Sequence, residues 1–373
     1  MYLNSESGHS PGKEFPVAIH TAIHTIATHR QPHFDEVVGI WLLLQFGEDR
    51  WPGIGNADLE CWEAVPPGKT AKSLEAEGVL LVGIGGGPYD EHPHQKGRKE
   101  GQCAATLIAA DLGIVHEPAL RKILEFASQR DLELGKNEFE LPAVIKAIND
   151  EWPPEDALRW AFQALAAIHR KQVRFYEEAP RDFRKAKILE TPTHGGMVKM
   201  VVGRSDADTF CAHARSSHGC RAGVVIQMTS AGNVVIQTNQ ALRIDLSSSV
   251  RMLRAEELRL KGEPIPRDWK LLGGEKNVEP CWYLHPKRGM ILNGSATCAA
   301  PPTAIPLETI EQIVRIGINP RIFHPRMADT CKQGFCASTR EHPCPWYQYG
   351  LERCRANRKT PASQAGALTA ISV

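Results

Sequence analysis

Long apolar stretches are missing from this sequence. Val37–Leu44 (VVGIWLLL) is the longest apolar run of the first half, far short of the ~20 residues that span a bilayer. Also missing at the start, MYLNSESGHSPGKEF, is a basic segment leading into an apolar one, so no secretory signal is read there. A soluble, cytoplasmic protein with no membrane partner is expected. Net charge is nearly absent too: 44 Lys+Arg stand against 43 Asp+Glu, a balance of +1. That excludes a wholly basic nucleic-acid coat and a polyacidic solvating chain, while leaving room for local basic patches. There is no internal repeat and no CxxC pair, so no common zinc-finger class is matched. What is present is an ordinary globular composition, 42% hydrophobic and 23% charged over 373 residues, enough for two or three domains with sizeable cores.

Hydrophobic periodicity predicts an α/β fold. Ala18–Thr28 reads as a short strand and Phe34–Phe46 as a helix closed by Gly47. Gly78–Gly83 (GVLLVG) has the pattern of a buried parallel strand, and Gln102–Leu112 and Ala119–Gln129 read as helices. Strand–helix alternation argues for a mostly parallel sheet. Pro153 and Pro154 break the chain before a long helical stretch, Ala157–Glu178. Strands are expected at Val198–Val202 and Val224–Gln227, with Asn233–Thr238 pairing back across Ser230–Gly232, and a helix at Leu307–Ile318. The expected organisation is a domain over 16–150, a helical linker over 151–194, a second, smaller α/β domain over 195–320, a cysteine-rich module over 321–360 and a loose tail over 361–373.

Two loops carry chemistry. The first is Thr28-His29-Arg30-Gln31-Pro32-His33-Phe34-Asp35-Glu36, between a strand and a helix. Loops at the C-terminal ends of parallel strands are where α/β proteins build sites. Imidazole and carboxylate from His29, His33 and Asp35 suit manganese, zinc or iron. Alternatively His29 ends a strand and Asp35 simply starts a helix, a favourable place for an acid. The second loop is Gly83-Ile84-Gly85-Gly86-Gly87-Pro88-Tyr89-Asp90-Glu91-His92-Pro93-His94-Gln95. Its glycines are not followed by the helix that a dinucleotide fingerprint needs. Asp90, Glu91, His92 and His94 therefore read as metal ligands or phosphate donors, against a solvated turn.

The pattern TH-x3-H-x-DE, followed by strand-GG-x-YD-x-H, resembles the DHH phosphoesterase superfamily, particularly the RecJ-like and melanocyte-proliferating-gene-type exonuclease branch. The resemblance covers residues ~20–135, and only vaguely ~195–320. It implies a DHH-like parallel-sheet domain, a smaller domain over a cleft, and hydrolysis of phosphodiester bonds in nucleic acid or nucleotides with Mn or Mg. By the resemblance His29, His33 and Asp35 match first-motif ligands. Asp90 and His92 match the outer residues of the DHH triplet, and Asp131 matches the final ligand. Asp35, Asp90, His92 and His94 would be catalytic. Two positions depart from the pattern: Glu91 stands where a ligand histidine is expected, and Gly83 stands where relatives carry a bridging aspartate, for which Asp58 is one conceivable substitute. The second of these favours an alternative, a catalytically degenerate member that binds nucleic acid or nucleotide without cutting it.

Further along, Arg30, Lys287, Arg288, Asn293, Gly294 and Ser295 are candidate phosphate-binding residues, with a plain hairpin turn as the competing reading of the last three. Cys211, His213, His218 and Cys220 are spaced too loosely for a site. Cys331, Cys336, Cys344 and Cys354 fall within 24 residues in a segment with few aliphatics. Zinc held by four thiolates is the favoured reading, an iron–sulfur cluster the other. Residues 321–360 carry eight Lys/Arg against three Asp/Glu, interleaved with Trp346, Tyr347 and Tyr349. That composition suits single-stranded nucleic acid, or equally a solvated basic face with Trp346 packed inward.

Overall fold

The structure is a computed structural model that describes residues 22–91, 101–132, 137–273, 278–294, 300–339 and 341–359, without the side chains of 131, 132, 358 and 359. His92, His94, Ser295 and the Asp131 side chain therefore lie outside the described residues. The chain divides into two compact units, Met1–Gln172 and Val173–Val373, and both are α/β. No described helix is long and apolar enough to cross a membrane.

The first unit is built on a three-stranded parallel sheet. β1 (Thr25–His29) runs between β2 (Asp58–Trp62) and β3 (Val79–Leu81), with Thr25 opposite both Asp58 and Val79. All three strands point the same way, so the loops that leave their C-terminal ends emerge at one edge. Helix α1 (Phe34–Phe46) follows β1, and every residue from Phe34 to Leu43 is buried. A helix apolar nearly all round must be enclosed: α1 shares one core with β1, α3 (Ala104–Asp111), α4 (Pro118–Leu132), α5 (Leu141–Glu151) and α6 (Pro154–Val173). The short α2 (Ala71–Ala76) precedes β3 and is capped by Thr70, whose hydroxyl accepts from the Ser73 amide at 3.1 Å. Trp152, which precedes the proline pair, is extended (ψ 159°), as the ring of a following proline demands.

The second unit enters through a π-helical turn, Arg174–Glu178, and α7 (Ala179–Phe183). Its sheet is mixed and six-stranded: β4 (Lys187–Thr193), β5 (Gly196–Arg204), β6 (Val224–Met228), β7 (Val234–Thr238), β9 (Met290–Asn293) and β8 (Trp282–Leu284), in that order. The β5–β6 pair is parallel and is connected through α8 (Phe210–Arg215); β6 and β7 form the expected antiparallel hairpin. One face packs on α9 (Ser247–Leu260) and α10 (Leu307–Ile318) through Val224, Ile226, Ile236, Val250, Leu253, Ile310 and Val314. The other meets α7 and α8 through Val201, Val225, Ala179 and Phe210.

The cysteine-rich segment folds as α11 (Ala328–Lys332), β10 (Phe335–Cys336), α12 (Pro345–Gln348), α13 (Glu352–Ala356) and β11 (Arg358–Lys359), with β10 and β11 paired in parallel. It does not stand on its own. Leu351 and Cys354 belong to the main core of the second unit, with Trp346, Tyr347 and Tyr349 packed against it. A segment poor in aliphatics is thus held by the neighbouring core.

Candidate active site and cysteine cluster

Four carboxylates meet at the C-terminal edge of the parallel sheet. Asp35 and Glu36 open α1 directly after β1, and Asp90 and Glu91 end the loop after β3. Their exposures are 2%, 0%, 6% and 2%. Acids are almost never buried this deeply without compensation, and Asp35, Asp90 and Glu36 each accept a backbone hydrogen bond. Asp35 Oδ2 accepts from the Ala104 amide at 3.0 Å, the first turn of α3. Asp90 Oδ2 accepts from the Gly86 amide at 2.7 Å, which folds the glycine loop over its own acid. Glu36 Oε2 accepts from the His33 amide at 2.8 Å and so caps α1. The other oxygen, Glu36 Oε1, is buried, has no hydrogen-bond partner among the described residues and lies 3.6 Å from His29 Nε2. His29 is part-exposed, and its ring lies 6.3 Å from that of the exposed His33. Burial, reinforced by the Asp35, Glu91 and Asp90 charges, pushes the Glu36 carboxyl well above the usual carboxylate range, although the His33 amide opposes the shift.

Gly83 leaves no room for a side chain beside Glu36. Its φ is 68°, a left-handed conformation that favours glycine. A Cβ built there would fall 2.0 Å from Glu36 Oε1 and 2.5 Å from Glu36 Cδ. The volume that a side chain at 83 would take is filled by the Glu36 carboxylate. Asp58, by contrast, opens β2 opposite Thr25, at the far end of the strand from His29, so it is not the substitute. In the sequence Glu36 ends the TH-x3-H-x-DE motif with no ligand role attached to it; its contact with position 83 depends on the loop after β3 coming back over α1.

The structure thus brings His29, His33, Asp35, Asp90 and Glu91 to one edge. Arg30 lies just beyond β1, is exposed, and forms an ion pair with Glu63. Among the described residues, no group of three or more His, Cys, Asp or Glu side chains is disposed as a ready-made metal cage.

In the second unit Lys287 and Arg288 occupy the exposed turn between β8 and β9, and Arg288 pairs with Asp245 at 3.1 Å. Asn293 is fully buried; its amide donates to the carbonyls of Cys281 and Pro301, both at 3.3 Å. It therefore serves the strand end and is not presented to a ligand. Gly294 follows it with φ 77°. Cys211 donates to Gln227 Oε1 at 3.2 Å, and His213 is buried beside Phe175 and Phe183, which lowers its pKa. Both are core groups, in keeping with their loose spacing.

Cys331, Cys336, Cys344 and Cys354 are all buried and line one small cavity with Met327, Tyr347 and Asn357. Asn357 ties the surrounding loops together by donating to the carbonyls of Cys331 and Phe335, each at 3.1 Å. Burial, with an added contribution from the neighbouring thiols, raises the Cys331 thiol and pushes Cys354 up to about 12. His324 stands edge-on to Trp346, and His342 is exposed.

No family model, no curated protein and no solved structure matches this chain.

Proposed function

We propose that this protein is a divalent-metal-dependent phosphoesterase of the DHH type, hydrolysing phosphodiester bonds of nucleic acid or nucleotides. The observation that carries the reading is the buried quartet Asp35, Glu36, Asp90 and Glu91 at the sheet edge beside His29, with the Glu36 carboxylate seated on Gly83. Oxygen donors with one imidazole suit manganese or magnesium. The orphaned Glu36 Oε1 and the raised Glu36 pKa describe a carboxylate short of positive charge. His29, Asp35, Glu36, Asp90 and Glu91 would hold the ion. Bound there, a divalent ion supplies Lewis acidity toward phosphoryl oxygen and activates water. The protein's own contribution is order: the Ala104 and Gly86 amides hold Asp35 and Asp90 in place.

Asp35→Asn tests this cleanly, because the amide oxygen still accepts from Ala104 while the charge is gone. Manganese-dependent hydrolysis of a dinucleotide should fall beyond the about 10–100-fold typical of outer-shell changes, with an unchanged melting midpoint. Hydrolysis at the wild-type rate would sink the assignment. The alternative, a binder without turnover, is favoured by the missing carboxylate at position 83. It is chosen instead if manganese binds and no phosphodiester is cleaved.

The Glu36 shift sets a pH dependence. Its folded-state pKa is raised, so between the unfolded value of ~4.3 and the higher folded one the native state holds more protons than the unfolded chain. Metal-free protein should lose stability as pH rises through that window, and manganese affinity should climb over the same range as the proton is displaced. Calorimetry in two buffers of different ionisation enthalpy measures the released proton. No release would show that the ion does not meet Glu36.

The four buried thiols are proposed to hold zinc, since four cysteine thiolates close a tetrahedral structural site.

A further inference from the structure

A cavity of about 900 Å³ opens within the second unit, a size that accepts a small organic ligand. Its walls come from the segment before α9, the β8–β9 turn, the end of α10, the Trp269 turn and α13. Among the described residues six cations line it: Arg243, Arg251, Lys270, Arg288, Arg353 and Arg355. Two described acids join them, and Asp245 is already committed: it accepts from the Ser247 amide at 2.7 Å and pairs with Arg288. The other, Glu352, is exposed.

Two of the six are buried, Arg251 at 8% and Arg353 at 9% exposure. Arg251 Nη2 donates to the Gly350 carbonyl at 3.0 Å, while its Nε has no hydrogen-bond partner among the described residues. Arg353 lies over the Trp346 ring, 5.5 Å from its centroid, and its Nε and Nη2 have no hydrogen-bond partner among the described residues. A buried donor without a partner is costly, and a guanidinium fork matches phosphate oxygens. Aromatic surface lies in the same walls. Tyr283 is 48% exposed. Trp269 rests on Gly350, whose φ of 65° and missing Cβ allow the ring to approach; an added Cβ would fall 2.3 Å from Trp269 Cδ2. Arg251 and Arg355 sit 5.1 and 4.5 Å from the Trp269 ring centroid. Unsatisfied cations beside ring faces are the elements that grip a phosphate and stack a base.

We propose that this cavity binds a nucleoside phosphate, either free or as the terminal residue of a single strand, with the phosphate on Arg353 and Arg251 and the base against Tyr283 or Trp269. The site lies wholly in the second unit and does not depend on the carboxylate cluster or its metal.

Full-length protein carrying Asp35→Asn, without added manganese and without chelator, keeps the proposed phosphoesterase silent and the cysteine module intact, and provides the test by tryptophan fluorescence and calorimetry. Probes are adenosine, 5′-AMP, and a ten-residue oligothymidylate with and without a 5′-phosphate. 5′-AMP or the phosphorylated oligomer should bind at least tenfold more tightly than adenosine or the unphosphorylated oligomer. Tighter 5′-AMP identifies a free nucleotide as the ligand, and a tighter phosphorylated oligomer identifies a strand end. Arg353→Gln should weaken binding tenfold or more. The exposed pair Arg288→Ala and Arg355→Ala, which leaves the core untouched, should weaken it severalfold and flatten its salt dependence. Binding that ignores the phosphate, or that survives both the buried and the exposed substitutions unchanged, overturns the proposal.

Discussion

Gly83→Asp, which restores the carboxylate that the superfamily pattern carries, should abolish tight manganese binding and lower stability. The added side chain meets the Glu36 carboxylate at 2.0 Å from its first carbon. It also forces a side-chain-bearing residue into the left-handed region, at about 1–2 kcal/mol. Glu36→Ala alone should lose metal as well, because it removes the carboxylate while position 83 remains bare. In the double variant the space vacated by Glu36 receives the aspartate introduced at position 83, and the acid returns from the neighbouring strand end. Binding should recover much of the wild-type affinity, with a coupling energy inside the about 0.5–3 kcal/mol range of contacting pairs. Metal titration of the three variants by calorimetry reads this directly. Simple addition of the two losses would show that Glu36 and position 83 do not share one role.

The second large effect concerns the cysteine cluster. Removing zinc by chelation, or by Cys344→Ser, should cost far more than a forty-residue appendage suggests. Leu351 and Cys354 are part of the core that includes α9, α10 and the mixed sheet. Loss of a structural metal falls in the class of about 4–5 kcal/mol. At about 2–4 °C per kcal/mol for a unit of this size, the melting midpoint should drop by roughly 10–20 °C. Elemental analysis of protein purified without added metal should give one zinc per chain. A brown chromophore, or a midpoint indifferent to chelator and to Cys344→Ser, would remove the assignment.

The same core shows what local pattern can and cannot convey. Phe34–Phe46 and Leu307–Ile318 are helices to the residue in both sequence and structure, because long apolar faces and clear ends leave one solution. The β6–β7 hairpin is equally legible from its turn. β2 is not: Asp58-Leu59-Glu60-Cys61-Trp62 is an edge strand with alternate residues in solvent, and no apolar run announces it. At the carboxylate cluster, His29, His33, Asp35, Asp90 and Glu91 are visible as motif residues. Glu36 ends the same motif, but its contact with position 83 is not visible there, because that position lies far along the chain, beyond two further strands. The basic cavity is still less visible, since its cations are scattered from Arg243 to Arg355 and only folding gathers them.

The hydrogen bond from Arg251 to the Gly350 carbonyl spans 99 residues of chain. Loops of that length close late, because their entropy must be lost before any contact rewards it. While the polypeptide is being made, α9 emerges long before the segment that braces its arginine. A chain extended only short of residue 350 lacks the Gly350 carbonyl, and Arg251 and Trp269 are without that support. The proposed nucleotide site would therefore form only once residue 350 has joined the fold.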